Sequence, residues 1–238
     1  MSAVAIALAT QDFDPTEVAV PWRALTAAGH EVVFATADGA PGACDPEMLA
    51  GVFFRQIRAL PEHAALYEEM ATTEAFQAPV SYADLDPERF ALLVLPGGHA
   101  PGMRQYLENA ALQEAAARFL ATDRLVGAIC HGTVVLARSI DPETGRSVLA
   151  GRRLTTLPKR FEVGAWALTK PYKGDYFRTY PTWVEDEVRA AVADGQVETG
   201  PFLPVHGQGF VVRDGPLITA RWPGDAERFG EALVEALA

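Results

Sequence analysis

The chain has 238 residues, with 31 Asp and Glu against 20 Lys and Arg, a formal charge of −11 with histidine neutral. Apolar residues at 49% and charged residues at 21% describe an ordinary globular chain and argue against disorder; the acidic balance gives no support for nucleic-acid or anionic-membrane binding, which a basic patch would serve. Two cysteines 86 positions apart (130 − 44) exclude a disulfide scaffold and a paired-cysteine metal knuckle.

Met1 to Ala9 is apolar but has no basic lead and is closed by Asp12 and Asp14, so it does not read as an export signal. No apolar run approaches the ~20 residues that span a bilayer, and a soluble, cytoplasmic protein is expected. Ala3 to Ala9 reads as a strand buried on both faces. Asp14-Pro15 sets a helix cap followed by proline at the first helical position, and that helix carries Val18, Pro21, Trp22 and Leu25 before stopping at Gly29. With a second strand at Glu31 to Thr36, this is a βαβ unit with parallel pairing and a right-handed crossover.

Ala91 to Leu95 is another apolar strand, broken by Pro96-Gly97-Gly98. A helix from about Asn109 to Ala121 sets Leu112, Ala115, Ala116, Phe119 and Leu120 on one side. Leu125 to Ile129 is a strand that runs straight into Cys130, and Thr133 to Ala137 follows as a helix. Further on come a strand near Arg153 to Thr156, an amphipathic helix near Thr182 to Ala193, strands around Phe210 to Val212 and Leu217 to Thr219, and a C-terminal helix from about Asp225. This order predicts one α/β domain over residues 1–238, a doubly wound, mostly parallel sheet with helices on both faces. Two irregular insertions interrupt it, at about 37–80 and 157–181, the first with a helix near Pro61 to Thr72. The second is dense in aromatics from Lys170 to Tyr180 and reads equally as a binding loop or as a stabilising flap.

Cys130 ends a strand and starts a helix, with small residues two before (Ala128) and two after (Gly132). A tight strand-to-helix turn needs that spacing, because larger side chains collide there; it is the nucleophile-elbow pattern with Cys in place of Ser. The turn sets the sulfur at the carboxyl edge of the sheet and at a helix N-terminus, where the dipole and free N–H groups are expected to lower the thiol pKa. A lone cysteine is otherwise most often a buried apolar side chain. Cys44, in the Gly/Pro loop 41–46, is given no role. Gly97-Gly98 permits positive φ and close approach of backbone to a ligand, or is a plain loop. Glu17 stands where it closes an Asp14-led capping box. His30 and His63 have no acidic or cysteine partner nearby in sequence and read as structural or exposed. No HExxH, EF-hand or paired-cysteine spacing supports a metal site.

Taken together, Ala128-Ile129-Cys130-His131-Gly132, the Pro96-Gly97-Gly98-His99 turn, Glu17 on the first helix, and the segments Ile140 to Gly145, Leu149 to Thr155 and Asp214 to Thr219 resemble the ThiJ/PfpI superfamily, the class I glutamine amidotransferase-like proteins, over nearly the whole chain. The larger insertions look most similar to the branch that holds heat-shock chaperones and glutathione-independent glyoxalases (glyoxalase III). The resemblance implies a flavodoxin-like fold with Cys130 as nucleophile and His131 as its partner, a pairing of adjacent residues that only a strained elbow allows. It places the Glu17 carboxyl beside the sulfur, where burial would raise its pKa and let it act as a general acid or base. It makes the Gly98 and His131 N–H groups an oxyanion hole, with Gly97 and His99 lining the substrate pocket.

For the third member of a Cys-His-Asp/Glu arrangement, Glu162, 32 positions after Cys130, matches the glutamate version, and the aspartate position holds Lys159. Without the resemblance, Glu162 reads as a surface glutamate at a helix start. His206 lacks the carboxylate two residues on that glutamine amidotransferases pair with their cysteine, since Gln208 stands there, so that activity is not expected. The implied activity is a glyoxalase III-like conversion of an α-oxoaldehyde such as methylglyoxal to a 2-hydroxy acid such as lactate, without glutathione or another cofactor, by a homodimer. The alternatives are hydrolysis or hydration of an amide, peptide or isonitrile by the same nucleophile, and a non-enzymatic chaperone that senses oxidants at its cysteine.

Overall fold

A strand with no polar side chain belongs where both faces are covered, and Val4 to Ala7 are without any exposure at the middle of the sheet. The computed structural model describes residues 1–52, 57–202 and 208–238. The first part of the chain forms β1 (Ala3–Ala7), β2 (Gln11–Phe13), α1 (Pro15–Ala27), β3 (Glu31–Thr36), β4 (Ala43–Cys44) and α2 (Pro46–Ala50). Next come α3 (Pro61–Ala71), α4 (Glu74–Gln77), β5 (Val80–Ser81), β6 (Leu92–Leu95), α5 (Arg104–Leu107) and α6 (Ala110–Ala121). The rest forms β7 (Leu125–Ile129), α7 (Gly132–Arg138), β8 (Arg153–Thr155), α8 (Lys159–Lys173), α9 (Val184–Val192), β9 (Gln196–Glu198), β10 (Val211–Asp214), β11 (Leu217–Ala220) and α10 (Ala226–Leu237).

Among the described residues the main sheet has seven strands in the order β10-β11-β7-β6-β1-β3-β5. All neighbours are parallel except the β10–β11 hairpin. The chain leaves β1 for β3 on one side and returns to β6 on the other, so the strand order reverses at β1. Ligands in open α/β sheets lie beyond the carboxyl ends of the strands at such a reversal. Helices α1 and α10 pack on each other, and α6 and α7 form a second pair against β6 and β7. This is the doubly wound α/β fold the apolar strands predict.

Helix α1 starts where the sequence places it. Asp14 Oδ1 accepts from the Thr16 and Glu17 N–H groups at 2.8 and 3.2 Å, and Pro15 fills a position whose missing N–H costs nothing. The insertion 37–80 is tied down by aromatic edges: Phe76 of α4 meets Phe34 of β3 at 5.3 Å and Phe13 at 6.5 Å between centroids. Such edge-on pairs add about 0.5–1.5 kcal/mol each beyond the area they bury. The Tyr82 hydroxyl donates to the Leu8 carbonyl in the same region.

Two features depart from the expected pattern. The insertion 157–181 is mostly α8, a helix of 15 residues, and its buried positions are Glu162 and Thr169. The strand at Arg153 to Thr155 leaves the main sheet and pairs in parallel with β9. It flanks the rim at β10, where Arg153 N–H donates to Asp214 Oδ2 at 2.9 Å and Arg153 Nη2 to the Arg213 carbonyl at 3.1 Å. The opposite rim, β5, is two residues long. Among the described residues, no helix is long and apolar enough to cross a membrane.

Candidate active site

Two strand ends and the start of α1 meet at the reversal point. β7 delivers Cys130 with φ +56, a left-handed conformation that costs a non-glycine residue ~1–2 kcal/mol. The turn is held by Cys130 N–H donating to the Ala220 carbonyl at 3.2 Å and by Thr133 Oγ1 donating to the Cys130 carbonyl at 2.8 Å. Gly132 is obligatory, because a Cβ there would stand 1.9 Å from the Leu95 carbonyl oxygen. Strain of this kind persists where the surroundings over-determine it, and it concentrates at functional sites.

β6 delivers the Pro96-Gly97-Gly98 turn, and the start of α1 grips it. Asp14 N–H donates to the Gly97 carbonyl at 2.9 Å, and Gly97 N–H donates to Glu17 Oε2 at 2.8 Å. Asp14 therefore caps the helix alone, and Glu17 turns away from the cap into the sheet edge, in place of a capping box. A Cβ on Gly97 would lie 2.6 Å from His131 N and 2.9 Å from Cys130 Cβ. Gly98 has φ +156, and a Cβ on it would meet the Asp12 carbonyl at 2.6 Å. Among the described residues neither Gly98 N–H nor His131 N–H donates to an oxygen.

His131, fully buried, turns its ring between the elbow and the flap formed by α8 and residues 174–183. Its Nδ1 is 3.4 Å from Cys130 Sγ, and its Nε2 is 3.3 Å from Thr179 Oγ1 and 3.8 Å from Glu162 Oε1. Glu162, in the first turn of α8, accepts from Val184 N–H at 2.9 Å through Oε2. Thr179 donates to the His99 carbonyl at 2.8 Å, and the His99 ring lies 4.4 Å from that of Phe177. The flap is tied to α2 through Tyr176 O–H donating to Asp45 Oδ1 at 2.9 Å and Lys173 Nζ donating to Glu47 Oε1 at 2.7 Å. Phe177 completes a small apolar cluster with Met48 and Val52. Two polar atoms, Glu17 Oε1 and His99 Nε2, are buried here without a partner among the described residues.

Burial dominates the electrostatics. It pushes Glu17 well above the carboxylate range, helped by the charge of Asp14, against the Gly97 N–H and the Cys130 thiol, which pull it down. Asp14 itself rises to about 6, mainly through burial. The Cys130 thiol is also pushed well up, by burial first and then by Glu17 and Asp14, with the His131 N–H opposing. This corrects the expectation of a lowered thiol pKa: Cys130 is only 3% exposed, the charges of Glu17 and Asp14 add to the effect of burial, and the start of the seven-residue α7 does not offset them. Burial lowers His99 to about 4, and burial with His99 lowers His131 to about 3. Burial raises Glu162 to about 7, against the Val184 N–H and Arg178. The surroundings thus favour the acid form of Glu17 and the thiol form of Cys130, keep the imidazoles of His99 and His131 neutral, and leave Glu162 near its midpoint at neutral pH.

The sequence-derived candidates Cys130, His131, Glu17, Glu162, Gly97, Gly98 and His99 are thus within one small volume. Thr179 and Phe177 join them without having been singled out, and Asp14, read from the sequence as a helix cap, lies beside them. The density of aromatics in 170–180 pointed to the segment and not to these residues. Cys44 stays outside the site, its thiol pushed up to about 12 by burial. His63 has a spatial partner that sequence proximity does not show, Glu227 at 3.1 Å. His206 lies outside the described residues. Among the described residues, no three His, Cys, Asp or Glu side chains gather so as to hold a metal ion.

A doubly wound sheet with a strained cysteine elbow facing a buried carboxyl describes a class of α/β proteins. The chain belongs to the ThiJ/PfpI-like family: the profile described as "ThiJ/PfpI family-like" matches residues 8–195. An uncharacterized protein of Schizosaccharomyces pombe is 28% identical over 142 residues, 56% of this chain and 53% of its own length, so the match spans about half of that relative. A protein of Pyrococcus abyssi named a deglycase is 26% identical over 188 residues, 79% of this chain and 83% of its own. Among solved structures, the 24 kDa Rapid Encystment Protein of Francisella tularensis superposes with TM-score 0.75 at 19% identity, covering 100% of both chains. Glyoxalase III of Candida albicans superposes with TM-score 0.71 at 22% identity, covering 99% of this chain and 97% of its own. The two structures bear on the fold, and two of the four relatives carry enzyme names.

Proposed function

We propose that the protein is a cysteine-dependent enzyme that converts a small α-oxoaldehyde, methylglyoxal in the simplest case, to a 2-hydroxy acid without glutathione. The observation that carries this reading is the meeting of Cys130 Sγ with two proton carriers, His131 Nδ1 at 3.4 Å and the buried Glu17 carboxyl. The sulfur adds to the aldehyde carbon as His131 takes the thiol proton. The resulting oxyanion lies at the Gly98 and His131 N–H groups, which have no oxygen acceptor among the described residues. The Glu17 carboxyl gives its proton to that oxygen, which completes a hemithioacetal and leaves Glu17 ionised. Glu17 then removes the proton from the former aldehyde carbon, and the neighbouring carbonyl takes up the electron pair together with the proton held by His131, giving an enediol. Return of the proton to the adjacent carbon gives a 2-hydroxy thioester. Water cleaves that thioester to the acid and frees the sulfur, so the substrate gains one water and the enzyme is not oxidised or reduced.

A carboxyl held above its usual range is an acid at rest and a stronger base once ionised, which suits a shuttle between two carbons. The test is lactate formation from methylglyoxal by wild type, Cys130→Ala and Glu17→Gln. Cys130→Ala is expected to abolish turnover, and Glu17→Gln to slow it by ~10²–10⁴-fold with folding intact. Lactate made equally well by Cys130→Ala would overturn the reading, and turnover of amides or isonitriles alone would replace it with a hydrolase or hydratase.

A further inference from the structure

We propose that Thr179 is a positioning residue that fixes the proton of His131 on Nε2, so that Nδ1 is held as the acceptor facing the Cys130 thiol. The inference rests on the reading of Cys130 and His131 as the reacting pair, and it concerns the step before any substrate is bound.

A threonine hydroxyl has one hydrogen to give, and a carbonyl oxygen can only accept. Thr179 Oγ1 lies 2.8 Å from the His99 carbonyl, so its hydrogen is committed there. The contact between Thr179 Oγ1 and His131 Nε2 at 3.3 Å is then a hydrogen bond only if Nε2 is the donor. A neutral imidazole carries one hydrogen, and which nitrogen holds it is set by the partner of the other. With Nε2 protonated, Nδ1 presents a lone pair to Cys130 Sγ at 3.4 Å. The alternative tautomer would turn an N–H toward the thiol and face two lone pairs against each other at Thr179.

Glu162 does not substitute for this contact. Its Oε1 stands 3.8 Å from Nε2, beyond hydrogen-bond reach, and its Oε2 is engaged by Val184 N–H. The acid acts on the ring through space, and the threonine acts through the hydrogen. Both Thr179 and His131 are buried, at 1% and 0% exposure, so water does not replace the missing acceptor. Because Thr179 also holds the backbone of His99, the flap, the pocket histidine and the elbow histidine are joined through one hydroxyl.

The test needs no substrate. Nitrogen-15 spectra of the His131 ring, assigned by comparison with His131→Gln, report the tautomer, and peptide mass spectrometry reports the alkylation rate of Cys130 by iodoacetamide. Wild type is expected to show the hydrogen on Nε2. Thr179→Val, which keeps the shape and loses the hydroxyl, is expected to lose the single tautomer and to slow alkylation by about 10-fold or more, within what a positioned base supplies. Thr179→Ser is expected to restore both. Hydrogen on Nδ1 in the wild type, which can be read even if Thr179→Val fails to fold, overturns the proposal, as does an unchanged ring spectrum in folded Thr179→Val. Correct tautomer and alkylation results without aldehyde turnover would leave this inference standing and sink the proposed reaction; turnover with an indifferent Thr179 would do the reverse.

Discussion

Glu162 is a carboxyl whose charge changes within the physiological range. Burial raises it to about 7, and it faces the histidine that must become positive when Cys130 gives up its proton. Below that pH the neutral acid does nothing for an imidazolium; above it the carboxylate favours one. The kcat/KM for an α-oxoaldehyde is therefore expected to rise as pH passes through about 7. Glu162→Gln should lose that limb and run about 10²-fold slower at pH 8, at the lower end of what acid–base assistance provides. A pH–rate profile of the two proteins checks this, and an identical limb in both would assign it elsewhere. Glu162 was legible only through the family resemblance, 32 positions after Cys130, since on its own it reads as a surface glutamate at a helix start. Glu17 was a closer contest, since Asp14-Pro15-Thr16-Glu17 is also a good capping box. What decides it in the structure is the Gly97 N–H, a buried donor 80 residues away that the carboxylate satisfies. The raised thiol pKa was not legible, because it depends on a cover over the sulfur that elbow spacing does not describe.

At the scale of elements, the flap is the part the sequence hid. The apolar strands were readable since each buries both faces, and β3 and β7 fall at the boundaries expected for them. Helix α8 lacks that signature for a physical reason: its inward positions are Glu162 and Thr169, because what it covers is polar. Gly164 and Pro171 dilute its pattern further. The flap owes its closure to Phe177, 1% exposed, against His99 and the Met48–Val52 cluster. Phe177→Ala is expected to cost ~3–5 kcal/mol in urea unfolding, as for other buried aromatics. It should also raise the ratio of maleimide to iodoacetamide labelling at Cys130, since the bulkier reagent gains most from an opening. An unchanged ratio would mean that access to the sulfur lies along another route.

At the scale of the molecule, four buried carboxyls meet around one sheet edge. Asp14 and Asp45 sit at about 6, Glu162 at about 7, and Glu17 well above its usual range, each raised first by burial. Unfolded, such groups titrate near ~3.9–4.3, so the folded state binds more protons in between. For Asp14, Asp45 and Glu162 this contribution to stability is full below about pH 4 and is lost as pH rises through 6 to 7. His99 and His131 run the other way: lowered to about 4 and 3, they contribute above ~6.5 and lose that as pH falls. Asp45→Asn isolates one carboxyl while keeping an acceptor for Tyr176. Relative to this variant, wild type should lose about 2–3 kcal/mol of stability between pH 4 and pH 7, at ~1.4 kcal/mol per unit of raised pKa. Chemical denaturation at several pH values measures it, and a constant difference would refute the assignment. The doubly wound order followed from the chain of apolar strands and helices. The departure of β8 to its own sheet did not, because three residues of alternating pattern do not say which neighbour they will meet.

The way the main sheet finishes has a consequence for the protein in crowded solution. One margin is a strand of two residues, and along the other the Arg153 guanidinium takes the Arg213 carbonyl while its peptide N–H bonds the Asp214 side chain. Such margins leave little ladder on which foreign strands can template, the route by which proteins seed cross-β deposits.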